Sequence, residues 1–130
     1  MSEPTRIPAP TGRPRHRLHP CRHGHGRFVA ISGQLALDED GRLVGAGDPA
    51  AQARQVFENL RRCLAAAGAA FDHVVKLTFF VTDMAHMPAI RGPRRAHTGR
   101  PAAGRLGGAG GGARAPGVPH EIEAYAVVGG

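Results

Sequence analysis

The chain lacks any apolar run of transmembrane length, and its opening "MSEPTRIPAPTGRPRHRLHP" lacks the hydrophobic middle region of a secretory signal. Both absences lead to the expectation of a cytoplasmic protein with no membrane partner. Cysteine is scarce: Cys21 and Cys63 form no CxxC pair, and Cys63 falls inside a helical pattern, so a disulfide framework is excluded and reduced thiols are expected. Acidic residues are missing from residues 91–120 altogether, where six arginines stand alone. Residues 1–27 are nearly as one-sided, with six Arg and one Glu, whereas residues 28–90 hold five basic against seven acidic groups. The net charge of +7 therefore sits in two Pro/Gly/Arg-rich stretches without hydrophobic periodicity, and no nucleic-acid partner is expected from it.

What is present is one domain's worth of chain, 130 residues, with room for a modest core. "GRFVAISGQLALDEDGRLVG" has the marks of a β-hairpin: Phe28, Val29, Ala30 and Ile31 form an apolar strand, "DEDG" ending at Gly41 is turn chemistry, and Leu43 and Val44 begin a return strand. In "GDPAAQARQVFENLRRCLAAAG", Asp48 suits an N-cap, Pro49 the first helical position and Gly68 the stop. Val56, Leu60, Leu64 and Ala67 make one apolar stripe, with Arg54, Glu58, Arg61 and Arg62 largely off it, which predicts a helix lying across a sheet.

"FDHVVKLTFFVTDM" alternates, placing Val75, Leu77, Phe79 and Val81 on a buried face against Lys76, Thr78 and Thr82. "MAHMPAI" starts a short helix. "EIEAYAVV" sets Ile122, Ala124, Ala126 and Val128 on one face, with Glu121, Glu123, Tyr125 and Val127 on the other. The sum is an α+β fold, one sheet packed by two helices. Residues 1–26 read as a basic, irregular N-terminal segment and residues 27–130 as the folded domain.

The ordered set "SGQ", "ENL", "VVK", "VTDM" and "EIEA" resembles the RidA/YjgF reactive-intermediate deaminase family, over Arg27 to Ile90 and Glu121 to Val128. The resemblance implies a chorismate-mutase-like homotrimer with small-molecule clefts between subunits and no cofactor. It also implies hydrolysis of enamines and imines derived from amino acids. In such a cleft an Arg clamps the substrate carboxylate, backbone groups near "SGQ" position the imine, and a Glu of "EIEA" holds water. Carried over residue by residue, Ser32 and Gly33 match the substrate-binding strand and Glu121 the catalytic Glu, while Arg91 stands where the deaminase branch often has Asn. Gly104 and Arg105, near the place of the carboxylate clamp, lie in an atypical stretch. Two further readings stand beside deamination: a non-catalytic ligand-binding or regulatory trimer, and the RNA cleavage or translation inhibition attributed to some relatives.

The atypical stretch covers residues 92–120. The family normally carries there a strand of the form "VEVA" followed by "LVRPEFL". Here "LGGAGGGARAPGVPH" stands instead, a composition that GC-rich codons give when read out of frame. Shifted by one base, residues 92–96 permit "ARDAH" and residues 113–119 permit "LVRPEFL". The expectation is a base gained or lost near codon 92 with a compensating change near codon 120; the alternative is a genuine Gly-rich insertion.

The remaining motifs carry plainer readings. His16, His19, His23 and His25 with Cys21 are zinc or nickel ligand types, but no spacing matches a closed structural site, and no metal is expected. "GAGGGA" has no preceding strand, no following helix and no Lys-Ser/Thr pair, so it is not a phosphate loop. Cys63 reads as a small buried apolar group without an activator for its thiol.

Overall fold

Why the longest helix forms is visible at its two ends. In the structure, a computed structural model that describes residues 4–7, 21–98 and 120–129, the Asp48 carboxylate accepts from the Ala51 amide at 3.1 Å, capping helix α1 (Pro49–Ala66). Pro49 supplies the first helical position, and Gly68 follows the C-cap Ala67 with φ 70°. Arg27 reaches the Ala67 carbonyl at 2.5 Å and satisfies one of the orphan acceptors of that end. Of the expected stripe, Val56, Leu60 and Leu64 are wholly inaccessible, joined by Phe57, Gln52 and Ala53, whereas Ala67 caps the helix and is only half-buried.

The sheet beneath it has three antiparallel strands in the order β3–β5–β4, from β3 (Arg27–Gln34), β4 (Val74–Val81) and β5 (His120–Val128). β5, latest in the sequence, is the middle strand. It pairs with β3 from Arg27↔Val128 to Gln34↔Ile122, and with β4 from Val74↔Ala126 to Val81↔His120. Its alternation holds: Ile122, Ala124, Ala126 and Val128 are buried, the first three in one core cluster with the apolar residues of α1. Helix α2 (Met87–Thr98) follows a 3-10 turn at Met84–His86, which Asp83 caps through the Ala85 amide, and packs beside α1. Phe57 lies at the junction, its ring 6.3 Å from Phe71, 6.4 Å from Phe79 and 5.7 Å from the stacked His97.

Two expectations are corrected. The return strand at Leu43 and Val44 does not form; a single bridge, Leu37↔Leu43, closes a loop in which Asp38 accepts from the Asp40 and Arg42 amides and Gly41 takes φ 77°. β3 instead finds its partner in β5. On β4 the buried set is Val74, Leu77, Phe79 and Val81, with Val75 only half-buried. The register shifts between Val74 and Lys76, and that irregularity resets the alternation, so Val74 takes the inward place.

Within the first 26 residues, β1 (Thr5–Ile7) and β2 (Cys21–His23) pair as a separate two-stranded antiparallel sheet. Residues 8–20, with His16 and His19, and residues 99–119, with Gly104, Arg105 and most of the atypical stretch, lie outside the described residues. No described helix is long and apolar enough to cross a membrane.

Candidate active site

The sheet face turned away from the helices carries the sequence-expected site. Between Ile31↔Ala124 and Gln34↔Ile122, β3 spends two residues, Ser32 and Gly33, where β5 spends only Glu123. This β-bulge bends the strand and frees local backbone groups from the ladder. Glu121 enters from β5, where its backbone is paired with Phe80 of β4, and it is buried at 4% exposure. Its carboxyl group occupies the volume into which a Cβ on residue 33 would project. Only glycine permits that approach. The structure therefore brings Gly33 and Glu121 together, with the exposed Ser32 beside them.

Arg91 is not brought into this arrangement. It is exposed on α2 and forms no ion pair with Glu121. Among the described residues no group of three or more His, Cys, Asp or Glu side chains is placed to hold a metal ion.

Sequence reasoning missed what holds the bulge. Gln34 turns back and donates from Nε2 to the Ser32 carbonyl at 3.1 Å, spanning the irregular step. From α1, Asn59 donates through Nδ2 to the carbonyls of Leu35 and Leu37, both at 2.9 Å. Gln55 orients that amide by donating to Asn59 Oδ1 at 2.9 Å, and also reaches the Leu37 carbonyl at 3.4 Å. The Asn of "ENL" thus grips the segment that directly follows "SGQ". A half-polar helix position at the spacing of Gln55 and Asn59, i and i+4 on one face, was the available signal.

One residue before Glu121 and on the opposite face, His120 is fully buried. Neither of its ring nitrogens, nor Nδ1 of His86, makes a hydrogen bond of normal geometry. Burial first, and then the neighbouring His86, push the His120 pKa down to about 4; a backbone interaction with Gln52 offsets only part of this. On the surface, hydrogen bonding from Arg61 holds Glu58 down to about 2.

Three antiparallel strands with two helices on one face, and a buried carboxylate set against a glycine bulge on the other, define a small α+β domain of a widely shared type. The family model described as Endoribonuclease L-PSP matches residues 19–128. Among solved structures, RidA from an Antarctic Psychrobacter is 31% identical with a TM-score of 0.70, covering 81% of this chain and 84% of that one. A Rid-family protein of unknown function from Yersinia pestis is 32% identical with a TM-score of 0.66, covering 83% and 84%. In sequence, 3-aminoacrylate deaminase RutC of Acinetobacter baylyi is 42% identical over 63 residues, 48% of this chain and 50% of that protein. Protein DfrA of Myxococcus xanthus is 46% identical over 59 residues, 45% of each. The matched segments thus span about half the length of these curated relatives. The chain belongs to the Endoribonuclease L-PSP family, the RidA/YjgF group that its "SGQ" and "EIEA" motifs resemble.

Proposed function

We propose that this chain forms a homotrimer that binds a small imine, enamine or carbonyl metabolite in a cleft between subunits and hydrolyses the imine to a carbonyl compound and ammonia. The observation that carries this reading is the Glu121 carboxyl group seated over Gly33 at the β3 bulge. A carboxylate there accepts a hydrogen bond from water, takes its proton as oxygen bonds to the imine carbon, and returns it to the leaving nitrogen. Bulge backbone groups freed from the ladder are suited to fixing the imine, and Ser32 offers a hydroxyl beside them. The likeness to RutC, named a 3-aminoacrylate deaminase, supports an enamine or imine of amino-acid origin as the substrate class.

Trimer formation is supported by the sheet face that the helices leave uncovered. Phe28 is 62% and Tyr125 39% exposed there, their rings 5.5 Å apart, with the Lys76 ammonium 5.8 Å above Tyr125. An aromatic patch of this kind on a sheet face suits burial against another copy.

The test is to generate a 2-imino acid in solution and follow keto-acid and ammonia release. The chain is expected to accelerate release over the spontaneous rate, and Glu121→Gln to lower that acceleration about 100-fold without unfolding. No acceleration by the wild-type chain overturns the hydrolytic reading. The position of Arg91, exposed on α2 and among the described residues without an ion pair to Glu121, leaves the carboxylate clamp without a holder there and favours a second reading, a non-catalytic ligand-binding trimer. Binding of the 2-keto acid by calorimetry without any hydrolysis would mark it. RNA cleavage draws no support from residues 28–90, which carry five basic and seven acidic groups.

A further inference from the structure

We infer that Asn59 is a positioning residue for the candidate site, acting from the far side of the sheet through the Leu35–Leu37 segment on the Ser32–Gly33 bulge against which Glu121 sits. The inference rests on the hydrolytic reading of that site for its kinetic consequence, but its structural content stands apart from it.

Asn59 Nδ2 has two protons and spends them on two carbonyls of the same short segment, Leu35 and Leu37, at 2.9 Å each. Its oxygen is also engaged, accepting from Gln55 Nε2 at 2.9 Å, so the amide cannot flip without losing all three bonds. The segment it grips is the direct continuation of β3, separated from Gly33 by Gln34 alone. Gln34 in turn is bonded back to the Ser32 carbonyl. A chain of hydrogen bonds therefore runs from α1 to the backbone beside the carboxylate. A bulge is intrinsically the least restrained part of a ladder, and a reacting group misplaced by about 1 Å loses up to about 100-fold in rate. Apart from Gln52 and Gln55, the buried face of α1 is apolar, and apolar contacts fix distance but not the rotation of a peptide unit; the Asn59 amide, held by Gln55, fixes that rotation.

Asn59→Asp is the discriminating variant. It keeps shape and the acceptor for Gln55 but turns two donors into acceptors facing carbonyls. Gln55→Glu is the second variant, since its carboxylate draws the Asn59 NH2 group away from Leu35 and Leu37. Backbone amide signals of Ser32 and Gly33, the carboxyl-carbon signal of Glu121 by NMR, and imino-acid hydrolysis are the readouts. In Asn59→Asp we expect a folded protein with shifted Ser32 and Gly33 amide signals, a shifted Glu121 carboxyl-carbon signal, and kcat about tenfold lower at nearly unchanged KM. Gln55→Glu is expected to move the same signals by less. Ser32, Gly33 and Glu121 signals at their wild-type positions in a folded variant overturn the inference, whatever happens to Tm. Should Asn59→Asp not fold, Gln55→Glu decides alone. Absence of hydrolysis in the wild-type chain defeats the proposed function, and the NMR signals still decide the role of Asn59.

Discussion

The carboxyl group of Glu121 fills the space that a side chain on Gly33 would need, so the two residues are sterically exclusive across the β3–β5 ladder. Gly33→Ala must therefore expel the carboxylate or part the strands. We expect a loss of about 1–3 kcal/mol in urea unfolding, as for overpacking elsewhere, together with loss of hydrolysis. A Gly33→Ala protein of wild-type stability and activity would show that the carboxylate has room to move.

His120 sets a pH dependence. Its folded pKa of about 4 lies below its ordinary value of 6.5, so the unfolded chain binds a proton throughout that interval and the folded chain does not. The associated stability is complete above about pH 6.5 and falls as the pH drops towards 4. At 1.36 kcal/mol per pH unit the interval amounts to at most about 3 kcal/mol. His120→Val is expected to flatten the curve of stability against pH between those limits and to raise Tm at pH 5. Parallel curves for the two proteins would assign the acid sensitivity elsewhere.

Pro93 sits inside α2, where it offers no N–H to the Ala89 carbonyl, and a Cβ on Gly92 would meet nothing within 4 Å. Replacing Gly92 and Pro93 by alanine should stabilise the helix by about 1 and up to about 3 kcal/mol respectively, read by thermal unfolding. These two residues and the orphaned His120 stand at the two described ends of the stretch for which a shifted reading frame is proposed. Peptide mapping of the protein from its native source is expected to return "ARDAH" and "LVRPEFL". Peptides reading "AHTGRPAAGR" would instead make the Gly-rich stretch genuine.

Tyr125 and Phe28 test the assembly. A charge at Tyr125, as in Tyr125→Glu, is expected to convert a trimer to a monomer in light scattering while leaving the far-ultraviolet circular dichroism of the domain in place. A wild-type chain that is monomeric at micromolar concentration would remove the intersubunit cleft from the functional reading.

Helix α1 was legible because its determinants are local: an N-cap at Asp48, Pro49 beside it, a four-residue apolar rhythm and Gly68 at its end. The faces of β5 were legible for the same reason, since alternation is a property of one strand. The partner of β3 was not, because Leu43 and Val44 are near in sequence while β5 is near only in space. Val75 was assigned the wrong face since a single bulge residue inverts the parity that any alternation argument assumes. Of the site, Ser32, Gly33 and Glu121 could be named from their motifs. Their contact could not, nor could the reach of Asn59 to a loop 22 and 24 residues away. Arg91 was placed by likeness alone, and a helix surface carried it elsewhere.

The middle position of β5 also orders events in time. β3 and β4 share no ladder, so each depends on a strand whose pairing begins at His120 and ends at Val128. While the chain is still being synthesised both must wait, one edge each exposed, for a segment that emerges after them. Any polypeptide released before residue 120 leaves the ribosome with β3 and β4 both lacking their common partner and with α1 deprived of the middle of the sheet it packs on. For this domain premature termination is then a hazard of aggregation as much as a loss of Glu121 from the candidate site.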